Sequence, residues 1–387
     1  MMTTTFPLPG DLSEEARVFA EAARRWAERE ALEPRRAKRL DDAQRARALG
    51  ALLVELGLQE HALQAGAAPD AVALSLALGA EEAGRVDVGL AAAAASTLAT
   101  VAAVASSPAS PAALSALAAR ARGTEPLRIA LALPAVDGTP RAAARRAEVA
   151  GWTVGGTSVR ALCSALSAPL LGVVCDLDGE ESGLFAIPAD GPGVRRGPRL
   201  VQTGFDADAD AALELAAVQL PEEALLLRGV AVGGLVCWLQ LQLAAACAGA
   251  LRAAHDILVD WAEHRVIKGR GQRFADNSLC ASLLGEVAQR ALLGRWLVLD
   301  LARLVGRAAC APETRVAALC VVHELAASVE EGLHRAMELM GSAGYAREWH
   351  LERYWRDVKV VRGRLGGQAF ARVALARHFH GSRGLGA

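Results

Sequence analysis

Aromatic side chains are scarce in this chain, 4% of residues against 53% hydrophobic overall. Aliphatic and small residues must therefore build its core, and Ala and Leu, which lead the helix scale, point to closely packed helices. Charge of one sign is lacking too. Lys+Arg 42 against Asp+Glu 43, with no polybasic run, excludes the electrostatic footprint of a nucleic-acid binder. Paired cysteines are absent: Cys163, Cys175, Cys237, Cys247, Cys280, Cys310 and Cys320 form no C-x-x-C. An odd, irregularly spaced set reads as buried thiols in a reducing, cytoplasmic setting and excludes a zinc site. The opening MMTTTFPLPGDLSEEARVF has no positive region followed by an apolar block, so no signal peptide is expected.

One long apolar run is present. From Gly229 to Leu251 the only strongly polar side chains are Gln240 and Gln242, a length that suits a membrane span. The run is rich in Gly and Ala and continues into Arg252, His255, Asp256 and Asp260 at helical spacing. It is read as a helix buried on nearly all sides within a bundle.

The 387 residues suffice for two or three domains. Residues 1–125 are helical in pattern. Asp11 with Glu14 suggests a capping box, and Val18, Phe19, Ala22 and Trp26 trace one face. Further helices are expected at Asp42–Leu56, closed by Gly57, and at Ala71–Ala91 and Leu90–Ala105. Across 126–227 short apolar runs replace helical periodicity. LRIALAL, AEVAGWTVGG, LLGVVCDL and GLFAIPA predict strands of a compact β domain. Residues 228–387 predict long helices at about 230–265, 276–307 and 312–340, a glycine turn at 341–344 and a last helix from Gly366, an antiparallel four-helix bundle. The fold class is α+β, mainly α.

This order of domains, together with two local stretches, resembles the acyl-CoA dehydrogenase family. Met337–Gly367 is similar to the family's Q-x-x-G-G-x-G-[FY]-x-x-E-x-P-x-E-R-x-x-R-D, with Gly341, Gly344, Tyr345, Glu348, Glu352, Arg353, Arg356 and Asp357 in matching places. Trp261–Gly269 resembles Y-A-x-x-R-x-x-F-G. The resemblance implies an FAD-dependent oxidation of an acyl-CoA thioester to its 2,3-enoyl form. A carboxylate base takes the α-proton and the flavin supplies the redox chemistry.

Against that pattern, residues are missing. The base of the family's E-G-T motif falls on Leu365, in Leu365-Gly366-Gly367, and the alternative base position falls at or near Leu239 and Gln240. No acid stands at either. The stretch that binds the isoalloxazine ring in the family reads Ala132–Gly138 here, and its W-[IV]-[TS]-N strand reads Arg160-Ala161-Leu162-Cys163. Of the family's bundle contacts to the dinucleotide, Arg265 is kept, Lys268 and Asp276 replace Phe and Gln, and Glu338 stands in place of the Gln before the glycine turn. The implied cofactor-binding residues are Arg265, Glu338, Gly341 and Gly344, for an FAD shared with or held mainly by a partner. Gly341 and Gly344 also suit a plain helix–helix turn, and Arg265 a surface ion pair. Arg356-Asp357 reads as a charged pair fixing the turn before the last helix. His255, His264, His323, His334, His350, His378 and His380 read as surface or partly buried. Glu330-Glu331 reads as solvated, and Glu222-Glu223 as a cap.

The resemblance implies the partner subunit, without the base, of a heterotetrameric acyl-CoA dehydrogenase acting on a bulky substrate such as a steroid side-chain CoA ester. The partner would be a paralogous chain or a second copy. The alternatives are a self-sufficient dehydrogenase or oxidase with a relocated base, a flavin-dependent monooxygenase of the same fold, or a scaffold with an empty site.

Overall fold

A computed structural model describes residues 6, 8, 12–32, 41–107, 111–134, 142–147, 150–162, 166–206, 210–364 and 367–380. Eleven α-helices and eight strands are described, in the order helices, sheet, helices.

The first helix, α1 (Glu14–Trp26), is capped by Ser13, whose hydroxyl accepts from Ala16 N–H. Asp11 lies outside the described residues. The inward face is Ala16, Ala20, Ala23 and Trp26, and Val18 is exposed, so the expected face is rotated. Helix α2 (Asp42–Gly50) begins with a complete capping box at Asp41 and Gln44 and continues as a π-helical stretch, Ala51–Glu55. Gly57 then turns the chain at φ 73° into α3 (Leu58–Ala62). Next come α4 (Pro69–Val86), α5 (Val88–Ala105) and α6 (Pro111–Ala121). Asp87 separates α4 from α5 and caps α5 by accepting from Leu90 N–H. Being apolar all round, α5 is buried along almost its whole length.

The sheet has strand order β6-β7-β3-β1-β4-β5-β8. Strands β1 (Ile129–Ala132) and β2 (Ala142–Arg146) share one lane, end to end, between β3 (Trp152–Leu162) and β4 (Leu170–Leu177). Beyond them lie β5 (Glu181–Pro188), β6 (Val194–Arg199), β7 (Ala211–Leu220) and β8 (Leu225–Arg228). Strand β4 is apolar from Leu170 to Cys175 because both its faces are covered there. Leu170 and Val174 join the helical core, while Leu171, Val173 and Cys175 pack with Trp152, Phe185 and Ile187 in a second core within the sheet. Polar alternation hid β2, β6 and β7 from the sequence reading, and β8 is only four residues long.

Helix α7 (Val230–His264) runs through the middle of the molecule, and α8 (Ser278–Ala308) and α9 (Pro312–Met340) pack beside it. It is long and apolar enough to cross a membrane, as is α5, yet 83% of its most apolar window is buried in protein. Two glycines explain its close seat on α4. A Cβ on Gly249 would come within 1.9 Å of the Glu81 carbonyl oxygen, and one on Gly84 within 2.2 Å of that of Ala246.

The bundle closes with α10 (Leu351–Gly363) and α11 (Gly367–His380). Helix α10 is an addition to the expected four: the sequence suggests a glycine turn at 341–344 and no element over 351–363, but His350 at φ 61° starts a helix there.

Candidate functional site

The stations that the resemblance assigns to the flavin ring and the base fall at the end of β3 and at the junction of α10 with α11. Leu365 itself falls outside the described residues, as do Ala135–Gly138 and Cys163, but the residues around them are placed. Arg364 precedes Leu365, is buried, and donates from Nη2 to Asp210 Oδ1 at 2.8 Å. Arg160, on the strand matching W-[IV]-[TS]-N, donates from Nη2 to Asp210 Oδ2 at 2.9 Å. Asp210 is 0% exposed. One carboxylate thus takes a guanidinium on each oxygen and ties the strand to the helix junction. The Arg364 guanidinium also lies over the Phe205 ring, 4.6 Å from its centroid.

The loop carrying Phe205 is held twice more. Arg356 donates to both oxygens of Asp206, at 3.0 and 3.1 Å, and to the Thr203 carbonyl at 2.8 Å. Asp357 Oδ1 accepts from Phe205 N–H at 2.6 Å, across from a backbone φ of 56°. Burial alone would lower the Arg356 pKa, but Asp206 and Glu352 raise it well above the ordinary arginine value. Arg356 and Asp357 therefore sit inside α10 and fasten the β domain to the bundle. They do not fix a turn, which corrects the expectation.

The second base position that the resemblance implies falls within α7. Leu239 and Gln240 are buried in α7, and neither a leucine nor an amide accepts the proton of a thioester α-carbon. Nearby, burial pushes the Cys237 thiol up to about 12. Trp238 Nε1 and Gln242 Oε1 find no hydrogen-bond partner among the described residues.

The residues implied for cofactor contact are scattered. Arg265 ends α7, exposed, in a hairpin where Val266 bridges Arg273. Lys268 is also exposed, and Asp276 is engaged by Arg273 through two bonds of 2.9 Å. Glu338 is exposed and pairs with Arg335 and His334. Gly341 takes φ 62° at the end of α9, and a Cβ on Gly344 would meet the Met337 carbonyl oxygen at 2.4 Å. Both glycines serve the turn.

Other expectations are corrected by burial. His255 and His323 are inside, not at the surface, and burial lowers both pKa values. Cys175, Cys237, Cys247 and Cys280 are buried, but Cys310 is exposed and Cys320 half-buried. Glu330 is clamped by Lys359 and Arg362 and so is not simply solvated. Glu222 pairs with Arg146 across the surface. Among the described residues no cluster of His, Cys, Asp or Glu could hold a metal.

The sequence reading missed two groups. One is the Asp210 set. The other is a buried ionic cluster at the crossing of α4, α7 and α8, made of Glu81, Glu82, Arg85, Arg252, Asp256 and Arg295. Arg252 and Asp256, four apart within an apolar helix, were the visible signal for the second. For the first there was none, because Asp210 stands about 50 residues from Arg160 and 154 from Arg364.

The described residues beside the two stations pair with one another. Arg160 and the neighbour of the base position converge on one carboxylate, and the donors that relatives aim at the ring are replaced by Ala, Leu and Arg side chains.

The profile of the acyl-CoA dehydrogenase C-terminal domain matches residues 238–380. No curated protein sequence matches the chain. Among solved structures, butyryl-CoA dehydrogenase from Megasphaera elsdenii superposes with a TM-score of 0.81 at 18% identity, covering 96% of this chain and 99% of that one. Glutaryl-CoA dehydrogenase from Mycobacterium smegmatis gives 0.76 at 18% identity, covering 97% of each. An acyl-CoA dehydrogenase from Geobacillus kaustophilus gives 0.74 at 19%, covering 96% and 99%.

Proposed function

We propose, from the premise that this chain belongs to the acyl-CoA dehydrogenase family by its C-terminal domain and by its fold throughout, that it is the partner subunit without a base in an FAD-dependent acyl-CoA dehydrogenase. One observation carries the reading. Both positions where the family keeps its proton-accepting carboxylate hold residues that cannot accept a proton, Leu365 at one and Leu239 with Gln240 at the other. A paralogous subunit, or a heterotetramer containing it, would supply the base and the flavin ring site. This chain would add bundle contacts, part of the wall around a bulky acyl-CoA, and the exposed Arg265, whose guanidinium suits a diphosphate. The setting proposed is a reducing cytoplasm, consistent with its unpaired thiols.

The test is the visible spectrum of the purified chain, alone and co-expressed with a paralogue. The expected result is a colourless protein alone and a yellow, active complex. Stoichiometric FAD on the single chain overturns the reading.

One observation supports a second reading, a relocated base. Asp210 is an acid bonded to the neighbour of Leu365. Its two oxygens already accept from two guanidinium groups, which argues against proton abstraction. Replacing Asp210 by Asn in the active complex decides between them. A relocated base predicts loss of turnover per flavin by about 10² or more; the partner-subunit reading predicts turnover per flavin unchanged.

A further inference from the structure

The contacts around Asp210, Phe205 and Asp357 join two parts of the chain that lie far apart in sequence. A flavin seated between two domains would join them by binding only the folded form, and this chain has another means of joining. We infer that an ion latch, built from Asp210 with Arg160 and Arg364 and from Asp206 and Asp357 with α10, fastens the β domain to the bundle with no cofactor needed between them. The inference rests on the reading that this chain holds no flavin ring of its own.

Three features carry it. First, three contacts cross the same boundary, Asp206 to Arg356, Asp357 to the Phe205 amide, and Asp210 to Arg364, all linking residues about 150 positions apart, while Arg160 braces Asp210 from within the β domain. Second, the centre of the latch is dry, while the Asp206–Arg356 pair at its edge is partly exposed. Asp210 and Asp357 are at most 1% exposed and Arg364 is 7% exposed, so charge removed there is not replaced by water. Third, the backbone is shaped to the latch. A Cβ on Gly204 would come within 2.5 Å of the Arg356 carbonyl oxygen, so only glycine lets the loop lie against α10, and Phe205 holds a left-handed φ with its amide on Asp357. Arg160 is the outer member, its side chain about half exposed, and contributes least.

The experiment uses the full-length chain and compares wild type with Asp210→Asn, Arg364→Met, the double variant, and Arg160→Ala. Thermal unfolding and hydrogen exchange are each read with and without saturating FAD. Asp210→Asn is expected to lower Tm by about 5 °C or more, to speed exchange at the Phe205 amide, and to gain nothing back from FAD. Arg160→Ala should move Tm least. If Asp210→Asn alone fails to fold, the double variant keeps the test alive: it removes the buried guanidinium left without a counter-charge and should recover part of the loss, whereas a double variant no better than the single one overturns the latch. Wild-type Tm and exchange in Asp210→Asn overturn the latch and leave the partner-subunit reading standing, provided the protein is colourless. A rise of wild-type Tm on adding FAD overturns both.

Discussion

Two joints hold this molecule together, and they are made differently. Where α4 crosses α7 and α8, helices meet with their backbones nearly touching at Gly84 and Gly249, around six buried charges that sum to zero. Where the β domain meets α10 and α11, a loop is pinned by side-chain carboxylates and an amide, with a close backbone approach at Gly204. The helical joint is a packing interface that also carries charge. The β joint is rich in charge, with Phe205 as the apolar side chain buried among it. The comparison teaches that one chain can fasten its parts by close backbone packing at one place and by long-range ion pairs at another.

Breaking the helical joint should have the largest effect. Arg252 donates to Glu81 at 2.8 Å and to Glu82 at 2.9 Å, all three buried. Burial pushes the Glu82 carboxyl up, but Arg252 and Arg85 overcome it and hold the group at about 2. A depressed carboxylate contributes stability that is present above its unfolded value and lost as pH falls toward 2. Arg252→Ala should therefore cost about 3–5 kcal/mol of unfolding free energy in urea at neutral pH, and acid unfolding should begin at higher pH than in wild type. A loss below about 1 kcal/mol would mean that the cluster is decoration on a packing interface.

Gly249→Ala comes next and tests the packing half of the same joint. The added Cβ meets the Glu81 carbonyl oxygen and the Arg85 amide nitrogen, backbone atoms that move only if α4 moves, so a cost of about 3 kcal/mol is expected. Gly285, on α8, has nothing within 4 Å of its Cβ position and provides the control. There alanine should stabilise by about 0.5–1 kcal/mol.

Much of this architecture was legible in the sequence. The α7 run read as a buried helix because Arg252 and Asp256 continue its periodicity, and β4 and the pattern around 337–357 stood out for the same reason: a period or a spacing repeats within a few residues. What was illegible depends on distance in sequence or on single residues. Strand β2, AAARR, offers no alternation of strong apolar residues, yet it is a strand because β3 and β4 flank it on both sides. Ser13 replaced Asp11 as the cap of α1 because only the geometry chooses between two capping residues two apart. At the site, the absence of an acid at Leu365, Leu239 and Gln240 could be read by counting, but the Asp210 set could not, since nothing local announces a contact across 154 residues.

A smaller effect separates the joints by pH. Burial holds His323 and His255 below the ordinary imidazole value, and His255 lies in the helical joint against Phe6. The unfolded chain takes up these protons first, so their contribution is present above about pH 6.5 and lost as pH falls through that value toward the folded one. Urea unfolding at pH 7.5 and 5.5 should show lower stability at 5.5, and His323→Leu should flatten that slope. An unchanged slope would place the acid sensitivity elsewhere.

The smallest expected effect on the chain itself is at Arg265, and it bears on whether either joint has a functional neighbour. The side chain is exposed at the end of α7, so Arg265→Ala should leave stability within about 0.5 kcal/mol of wild type. In a complex with a flavin-bearing paralogue the outcome should differ. A guanidinium on a diphosphate makes charge-assisted bonds of about 1.5–3 kcal/mol, so the variant complex should hold FAD at least about tenfold more weakly. Arg265→Lys should fall between the two, because a point charge keeps the attraction and loses the forked geometry. Equal FAD retention by wild type and Arg265→Ala would reduce Arg265 to a surface residue and leave the base-less stations as the sole support for the partner role.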